Sequence, residues 1–179
     1  MEVGHGSTAQ GSYSTSIGGH AIGKNSVAIG SENQNSYSNP ASAGGDNSIA
    51  IGGHTNSIND IAIGAGSSTN GGNGGHAIAV GGSATGEQAV SIGGVATNSS
   101  ATAVGRNSSA TGSQSTAVGG HAGNEYSTAV GQGANATYDY TTAVGNNSTA
   151  SGDHSTAMGL LPKEVILRPL AVPMPGVRM

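Results

Sequence analysis

The chain of 179 residues contains no cysteine, tryptophan or phenylalanine, and only 8% of its residues carry a charge. The absence of cysteine excludes disulfide bonds and zinc–thiolate sites. Apolar residues make up 34% of the chain and its only aromatic residues are five tyrosines, which is too little for a conventional globular core. Any ordered fold must therefore depend on another kind of packing.

Basic residues and long apolar runs are also scarce. Residues 1–159 contain two basic side chains, Lys24 and Arg106, against eight acidic ones, which argues against nucleic-acid binding. No segment approaches the roughly 18 apolar residues of a membrane-spanning helix. The first ten residues lack both the basic start and the apolar stretch of a signal peptide. We therefore expect either a piece of a longer protein or a protein that is used without secretion.

Glycine, by contrast, is abundant, with 33 residues, and much of it closes a repeated phrase. The phrase is STAVG at residues 115–119 and 127–131 and STAMG at residues 155–159. Successive closing glycines are 12 or 14 residues apart, except for two gaps of 22 and 17 residues. This period is too short for propeller blades or helical repeats and indicates a solenoid of short parallel coils. The two longer gaps predict loops at residues 31–45 and 65–75.

Each phrase has the side-chain alternation of a β-strand. The residue before the glycine is Ile, Val or Met, the residue two positions earlier is Thr, Val or Ile, and the residue between them is Ala or Ser. A second, weaker strand precedes many phrases, as at residues 84–86, 110–112 and 150–152. The sequence therefore predicts an all-β fold, a parallel β-roll solenoid of 12–14 residue coils, over residues 1–159.

Two arrangements of this roll are open. In the first, the small residues face inward and the aliphatic face points outward, where it needs a partner. In the second, the aliphatic residues fill the interior and no partner is needed. We favour the first, because the small position never holds a residue larger than alanine or serine. The predicted trimer interface then consists of the aliphatic residues that precede the glycines, represented by Ile29, Ile51, Ile63, Val104, Val118, Val130 and Val144.

The composition changes after Gly159. Residues 160–179 contain four of the five prolines and three of the five basic residues. Proline at this density prevents a long helix. We expect a second segment here, a proline-rich extended tail or connector.

The repeats also resemble a known family. NSVAIG at residues 25–30, NSIAIG at residues 47–52 and the AxGxxSTAVG form at residues 110–119 are similar to the head repeats of trimeric autotransporter adhesins, the YadA-like family. The resemblance implies a left-handed parallel β-roll and a homotrimer. It further implies a head held at the cell surface by a stalk and an outer-membrane anchor, where it attaches to an extracellular matrix protein or a host surface receptor.

The same resemblance supplies candidate ligand-binding residues. The family's collagen-associated phrase NSVAIGxxS corresponds to Asn25, Ser26, Val27, Ala28, Ile29 and Gly30, and Asn33 stands where the phrase ends in serine. Tyr37, in the first long gap, is a further candidate because it is one of the few side chains large enough to anchor a partner.

Motifs that suggest chemistry are weak. Residues 18–24 match the GxxxxGK of a phosphate-binding loop, but Asn25 replaces the required Ser or Thr and a strand follows instead of a helix. His20, His54 and His121 each follow a glycine pair, where a trimer axis offers a site for a metal or anion; we prefer to interpret them as exposed turn residues. No nucleophile elbow or metalloprotease spacing occurs. We expect no enzyme, catalytic residue, metal, cofactor or small-molecule substrate.

Two other functions remain open. The chain is compatible with the shaft or receptor-binding part of a phage or virion fibre, which places it on a virion. It is also compatible with an ice-binding solenoid if a column of threonines, Thr102, Thr116, Thr128, Thr142 and Thr156, faces water.

Overall fold

The computed structural model describes residues 1–4, 6–30, 41–72 and 74–159, and over these ranges the chain forms 23 short β-strands. Each coil contributes one strand to a first sheet of 12 strands and one to a second sheet of 11, and all neighbouring strands are parallel. Within the same ranges there is no helix long and apolar enough to cross a membrane. The predicted all-β parallel solenoid is confirmed.

The two sheets alternate along the chain. The first sheet contains β1 (Glu2–Val3), β3 (Thr15–Ile17), β5 (Val27–Ile29), β7 (Ile49–Ile51), β9 (Ile61–Ile63), β11 (Ile78–Val80), β13 (Val90–Ile92), β15 (Thr102–Val104), β17 (Thr116–Val118), β19 (Thr128–Val130), β21 (Thr142–Val144) and β23 (Thr156–Met158). The second contains β2 (Thr8–Ala9), β4 (His20–Ala21), β6 (Ser42–Ala43), β8 (His54–Thr55), β10 (Ser68–Thr69), β12 (Ser83–Ala84), β14 (Val95–Ala96), β16 (Ser109–Ala110), β18 (His121–Ala122), β20 (Asn135–Ala136) and β22 (Thr149–Ala150).

The interior of the roll is made of small side chains. In the first sheet, Ala103, Ala117 and Ala129 lie in register on successive coils, and in the second sheet Ala110 lies beside Ala122. All five side chains are fully buried. Because these alanines point inward, the alternating aliphatic side chains of the first sheet point outward. The arrangement that we favoured from the sequence is confirmed.

Buried hydroxyl groups fasten the turns from inside. Ser26, which precedes β5, donates a hydrogen bond of 2.6 Å to the carbonyl of Gly23, and Ser48 does the same to Gly45 one coil later. Such bonds are required because a buried hydroxyl without a partner is costly. Among the described residues, only the hydroxyls of Ser14 and Thr55 are buried without one.

The lengths of the two corners explain the period. The first corner, from a first-sheet strand to the next second-sheet strand, holds two residues in the shortest coils, as at 119–120, and four in others, as at 105–108. The second corner holds five residues in every coil except one, where residues 70–77 form it. The predicted loops at 31–45 and 65–75 are wrong in extent, because β6 and β10 lie inside them. Residues 31–40 and the tail at 160–179 lie outside the described residues.

The longer second corner is held by a buried carboxylate. Asp60, which is fully buried, occupies the place that serine takes in the preceding coils, as at Ser48. Its oxygens accept hydrogen bonds from the backbone N–H of Ala77 at 2.9 Å and of Gly71 and Ser57 at 3.3 Å. The side chain thus joins its own turn to both ends of the segment that makes this coil longer.

Candidate binding surfaces

An unbroken row of apolar side chains runs along the outside of the first sheet. We call it the aliphatic column: the last residue of each first-sheet strand, paired in register with its neighbours. The column comprises Val3, Ile17, Ile29, Ile51, Ile63, Val80, Ile92, Val104, Val118, Val130, Val144 and Met158. All seven residues that the sequence predicted as an interface belong to it.

The exposure of the aliphatic column varies from coil to coil. Ile51 at 39% and Val118 at 39% precede two-residue turns, and Ile63 at 38% and Val144 at 36% precede four-residue turns, so the length of the turn does not set the exposure. Val104 and Val130 are half-buried. Every coil thus presents apolar surface to its surroundings.

A second row lies at the second corner and has a left-handed backbone. The residue two positions before each first-sheet strand, from β3 to β23, has a φ between 54° and 65°, a conformation that costs non-glycine residues about 1–2 kcal/mol. We call this the left-handed column; it comprises Tyr13, Asn25, Asn47, Asn59, His76, Gln88, Ser100, Gln114, Tyr126, Tyr140 and His154. Sequence reasoning missed it, since only its asparagines and histidines are typical of this conformation.

Amide side chains connect the first part of the left-handed column. The Asn25 carboxamide donates to the Asn47 side-chain oxygen at 3.0 Å, and the Asn47 carboxamide donates to that of Asn59 at 3.2 Å. Each bond joins neighbouring coils, so the ladder stabilises the stacking of the roll at its exposed corner.

Aromatic rings connect the last part of the same column. The Tyr126 and Tyr140 rings stack with centroids 4.8 Å apart, and the Tyr140 ring stacks on the His154 imidazole at 4.9 Å. The residues before these rings, Glu125 and Asp139, accept backbone hydrogen bonds of 3.0 Å from Tyr140 and His154. The corner thus carries an ordered row of rings beside a row of acidic residues.

The three histidines of the GGH sequences lie in strands and not in the turns where we expected them. His20, His54 and His121 are the first residues of β4, β8 and β18 and share one outward row of the second sheet. Ser42 separates the first two, and His121 lies further along. Over the described part of the chain, no three metal-ligating side chains come together.

Comparison with known sequences decides the family. The sequence model of the YadA head domain repeat matches residues 3–21, 21–34, 39–55, 96–122, 122–148 and 139–160, well over half of the chain. The chain belongs to the YadA head domain repeat family. The predicted resemblance is therefore confirmed, and the family is one of surface-exposed, non-enzymatic adhesin heads.

Solved structures include a similar YadA head. The crystal structure of the collagen-binding domain of the Yersinia adhesin YadA is 22% identical over 84% of this chain and 89% of that chain, with a TM-score of 0.49. No curated protein matches the chain.

The fold of this YadA-like head divides the NSVAIG phrase into inward and outward residues. Ser26 and Ala28 are fully buried, and Gly30 closes the strand with a φ of 136°. Asn25, Val27 and Ile29 point outward from the left-handed corner and the first sheet. These are the three of the six predicted residues whose side chains point outward; Tyr37 lies outside the described residues.

Proposed function

We propose that this YadA-like head forms a homotrimer through its aliphatic column and attaches to an extracellular matrix protein or a host surface receptor. The observation that supports the proposal is the aliphatic column itself, which exposes apolar side chains in register from β1 to β23. Contiguous apolar surface of this kind marks an association site.

The second sheet provides the contrast. Its outward row is mostly polar, with Ser42, Ser68, Ser83 and Ser109, and Val95 is its exposed aliphatic side chain. One face of the roll is thus suited to water and the other to another protein surface. We assign the aliphatic face to further copies of this chain. The column repeats in every coil, so a second copy presents apolar side chains with the same spacing along the roll, and three copies close a ring.

Trimerisation leaves the left-handed column and the second sheet for the ligand. Of the predicted ligand residues, Asn25 lies on this free corner, and we propose it as the contact that the NSVAIG phrase makes. A trimer carries three copies of this surface on one rod, so several weak contacts act together and give a high overall affinity. We place the parent protein at the cell surface, anchored in the outer membrane.

Solution mass tests the assembly. We expect light scattering to give about three times the chain mass of 17.1 kDa. Replacing Ile63, Ile92 and Val118 with serine should produce folded monomers, with an unchanged circular dichroism spectrum. Val95→Ser, which removes an equally exposed aliphatic side chain from the other sheet, should remain trimeric. A wild-type monomer at micromolar concentration contradicts the proposed assembly.

Binding to immobilised matrix proteins and to host cells tests attachment. The trimer should bind at least one of them, and the dissociated variant should lose most of the binding because it loses avidity. A stable trimer that binds none of these surfaces overturns the adhesive function and leaves the assembly intact.

A further inference from the structure

The first corner of the roll contains a notch at each of three GGH sequences. Three two-residue turns are each followed by a histidine, and none of them has another two-residue turn in a neighbouring coil. The turns are 18–19, 52–53 and 119–120, and the histidines are His20, His54 and His121. The two short turns that lie next to each other, 81–82 and 93–94, precede Ser83 and Val95 instead. The three isolated turns also share an antiparallel bridge to the next coil.

The notch at His121 is open to solvent, and all the residues that line it are described. It is a cleft of about 410 Å³ between the four-residue turn that carries Arg106 and Asn107 and the turn that carries Gln132. The short turn forms its floor, and His121 and Asn135 of the second sheet complete it. The volume lies in the range of sites for small molecules.

Glycine keeps this cleft open. A Cβ on Gly120 would lie 2.7 Å from the carbonyl oxygen of Ala134, so no side chain can cover the floor. A Cβ on Gly123 would lie 3.2 Å from Nε2 of His121, so the imidazole extends along the second sheet toward Gly123, at the rim of the cleft.

The chemistry of the cleft differs from the rest of the surface. No carboxylate lines it, although acidic residues outnumber basic ones eight to two in residues 1–159. Arg106 supplies one permanent positive charge, and the imidazole of His121 supplies a further hydrogen-bond donor. The carboxamides of Asn107, Gln132 and Asn135 can each donate and accept hydrogen bonds, as the hydroxyls of a sugar require.

We propose that this notch binds one anionic sugar residue, with the carboxylate or sulfate on Arg106 and the hydroxyls on the carboxamides and His121. A single guanidinium matches a single anionic group, and the polar walls match a hydroxylated ring. The proposal goes beyond attachment to a protein. The equivalent notch before His54 is followed by Ala65 and Gly66, which offer no polar side chain in the place of Gln132.

Saturation-transfer NMR on the full chain tests this site. The probes are N-acetylneuraminic acid for the carboxylate, N-acetylglucosamine 6-sulfate for the sulfate, and neutral N-acetylglucosamine. We expect at least one of the two acidic sugars to bind with a Kd of about 1 mM or below, and the neutral sugar at least about tenfold more weakly, as expected for one charge-assisted bond. Equal binding of the neutral sugar, or displacement of the acidic sugars by inorganic sulfate at an equal concentration, overturns the proposal.

Variants locate the binding. Arg106→Gln should weaken it about tenfold or more, whereas Lys24→Gln, which removes the other basic residue of the roll, should leave it unchanged. His121→Ser, the residue found one coil earlier at Ser109, should weaken it by a smaller factor. An unchanged affinity in Arg106→Gln refutes the assignment.

A change of turn length tests the notch without removing any polar side chain. Replacing residues 119–120 with Gly-Asn-Asn-Ser, the turn found at 145–148, should fill the cleft and abolish binding. The same replacement at residues 81–82 should have no effect. Retention of binding in the first variant, with the fold intact by circular dichroism, rules out this cleft as the site.

Discussion

Replacing Asp60 tests how a solenoid accommodates a coil of irregular length. In Asp60→Ser, the new side chain is the one that occupies this place in other coils, as at Ser48, so the local turn is compatible with it. Serine is too short to reach Gly71 and Ala77. The perturbation therefore removes the fastening of the longer corner and little else.

The hydrogen bonds set the expected magnitude. A hydrogen bond to a charged group contributes about 1.5–3 kcal/mol, and the bond from the Ala77 N–H is the shortest of the three at 2.9 Å. We count it in full and the two bonds of 3.3 Å as minor. The loss of this bond should make the opening of residues 70–77 easier by about 2–3 kcal/mol. The loss in global stability should be smaller, because removing a buried charge also removes its desolvation penalty.

Hydrogen exchange measures this opening directly. The amide of Ala77 should exchange about 30 to 150 times faster in Asp60→Ser, the factor that corresponds to 2–3 kcal/mol. In Asp60→Asn, which keeps one acceptor oxygen, the exchange rate of the Ala77 amide should lie between the rates in Asp60→Ser and in the wild type. Protection of the Ala77 amide at the wild-type level in Asp60→Ser refutes the role of the carboxylate.

Two further predictions concern the interior and the corner. Ala117→Val adds two methyl groups between neighbouring coils and should lower the free energy of unfolding by about 1–3 kcal/mol. Val95→Ala, at a side chain 42% exposed, should lower it by about 1 kcal/mol at most. Urea unfolding followed by circular dichroism compares the two variants, and a larger loss of stability in Val95→Ala than in Ala117→Val contradicts an alanine interior. Tyr140→Ala removes two ring stacks and should cost about 1–2 kcal/mol. Because the φ of Tyr140 is 57°, Tyr140→Gly should be the more stable of the two, and a more stable alanine variant argues against the left-handed backbone.

The fold was predictable because the repeat length and the alternation of side chains recur in every coil. Which face points inward was harder to predict, since the usual rule that large apolar residues are buried gives the wrong answer here. The informative signal was steric: positions such as Ala103 and Ser91 hold only small residues, because the two sheets lie too close for larger ones. The binding surfaces depend on this same choice of faces.

The corners could not be predicted in the same way. Tyr126 and Gln114 adopt a left-handed backbone because stacking on neighbouring coils fixes the turn, and neither residue type signals that conformation. The notch at His121 depends on the lengths of three consecutive turns, which become neighbours only after the coils stack. Asp60 likewise looks like an ordinary turn residue until the chain returns with Ala77 beside it.

The direction of the hydrogen bonds has a mechanical consequence. Bonds between parallel strands of successive coils lie along the axis of the roll, so a force that pulls its two ends apart loads the coils in series. The coil interface with the least resistance opens first, and each coil of 12–14 residues then releases roughly 40–50 Å of extended chain. Contacts that cross between coils at the corners, such as the stack of Tyr126 on Tyr140, set where this lengthening begins. A head built in this way yields stepwise under tension, dissipating load while its remaining coils stay folded.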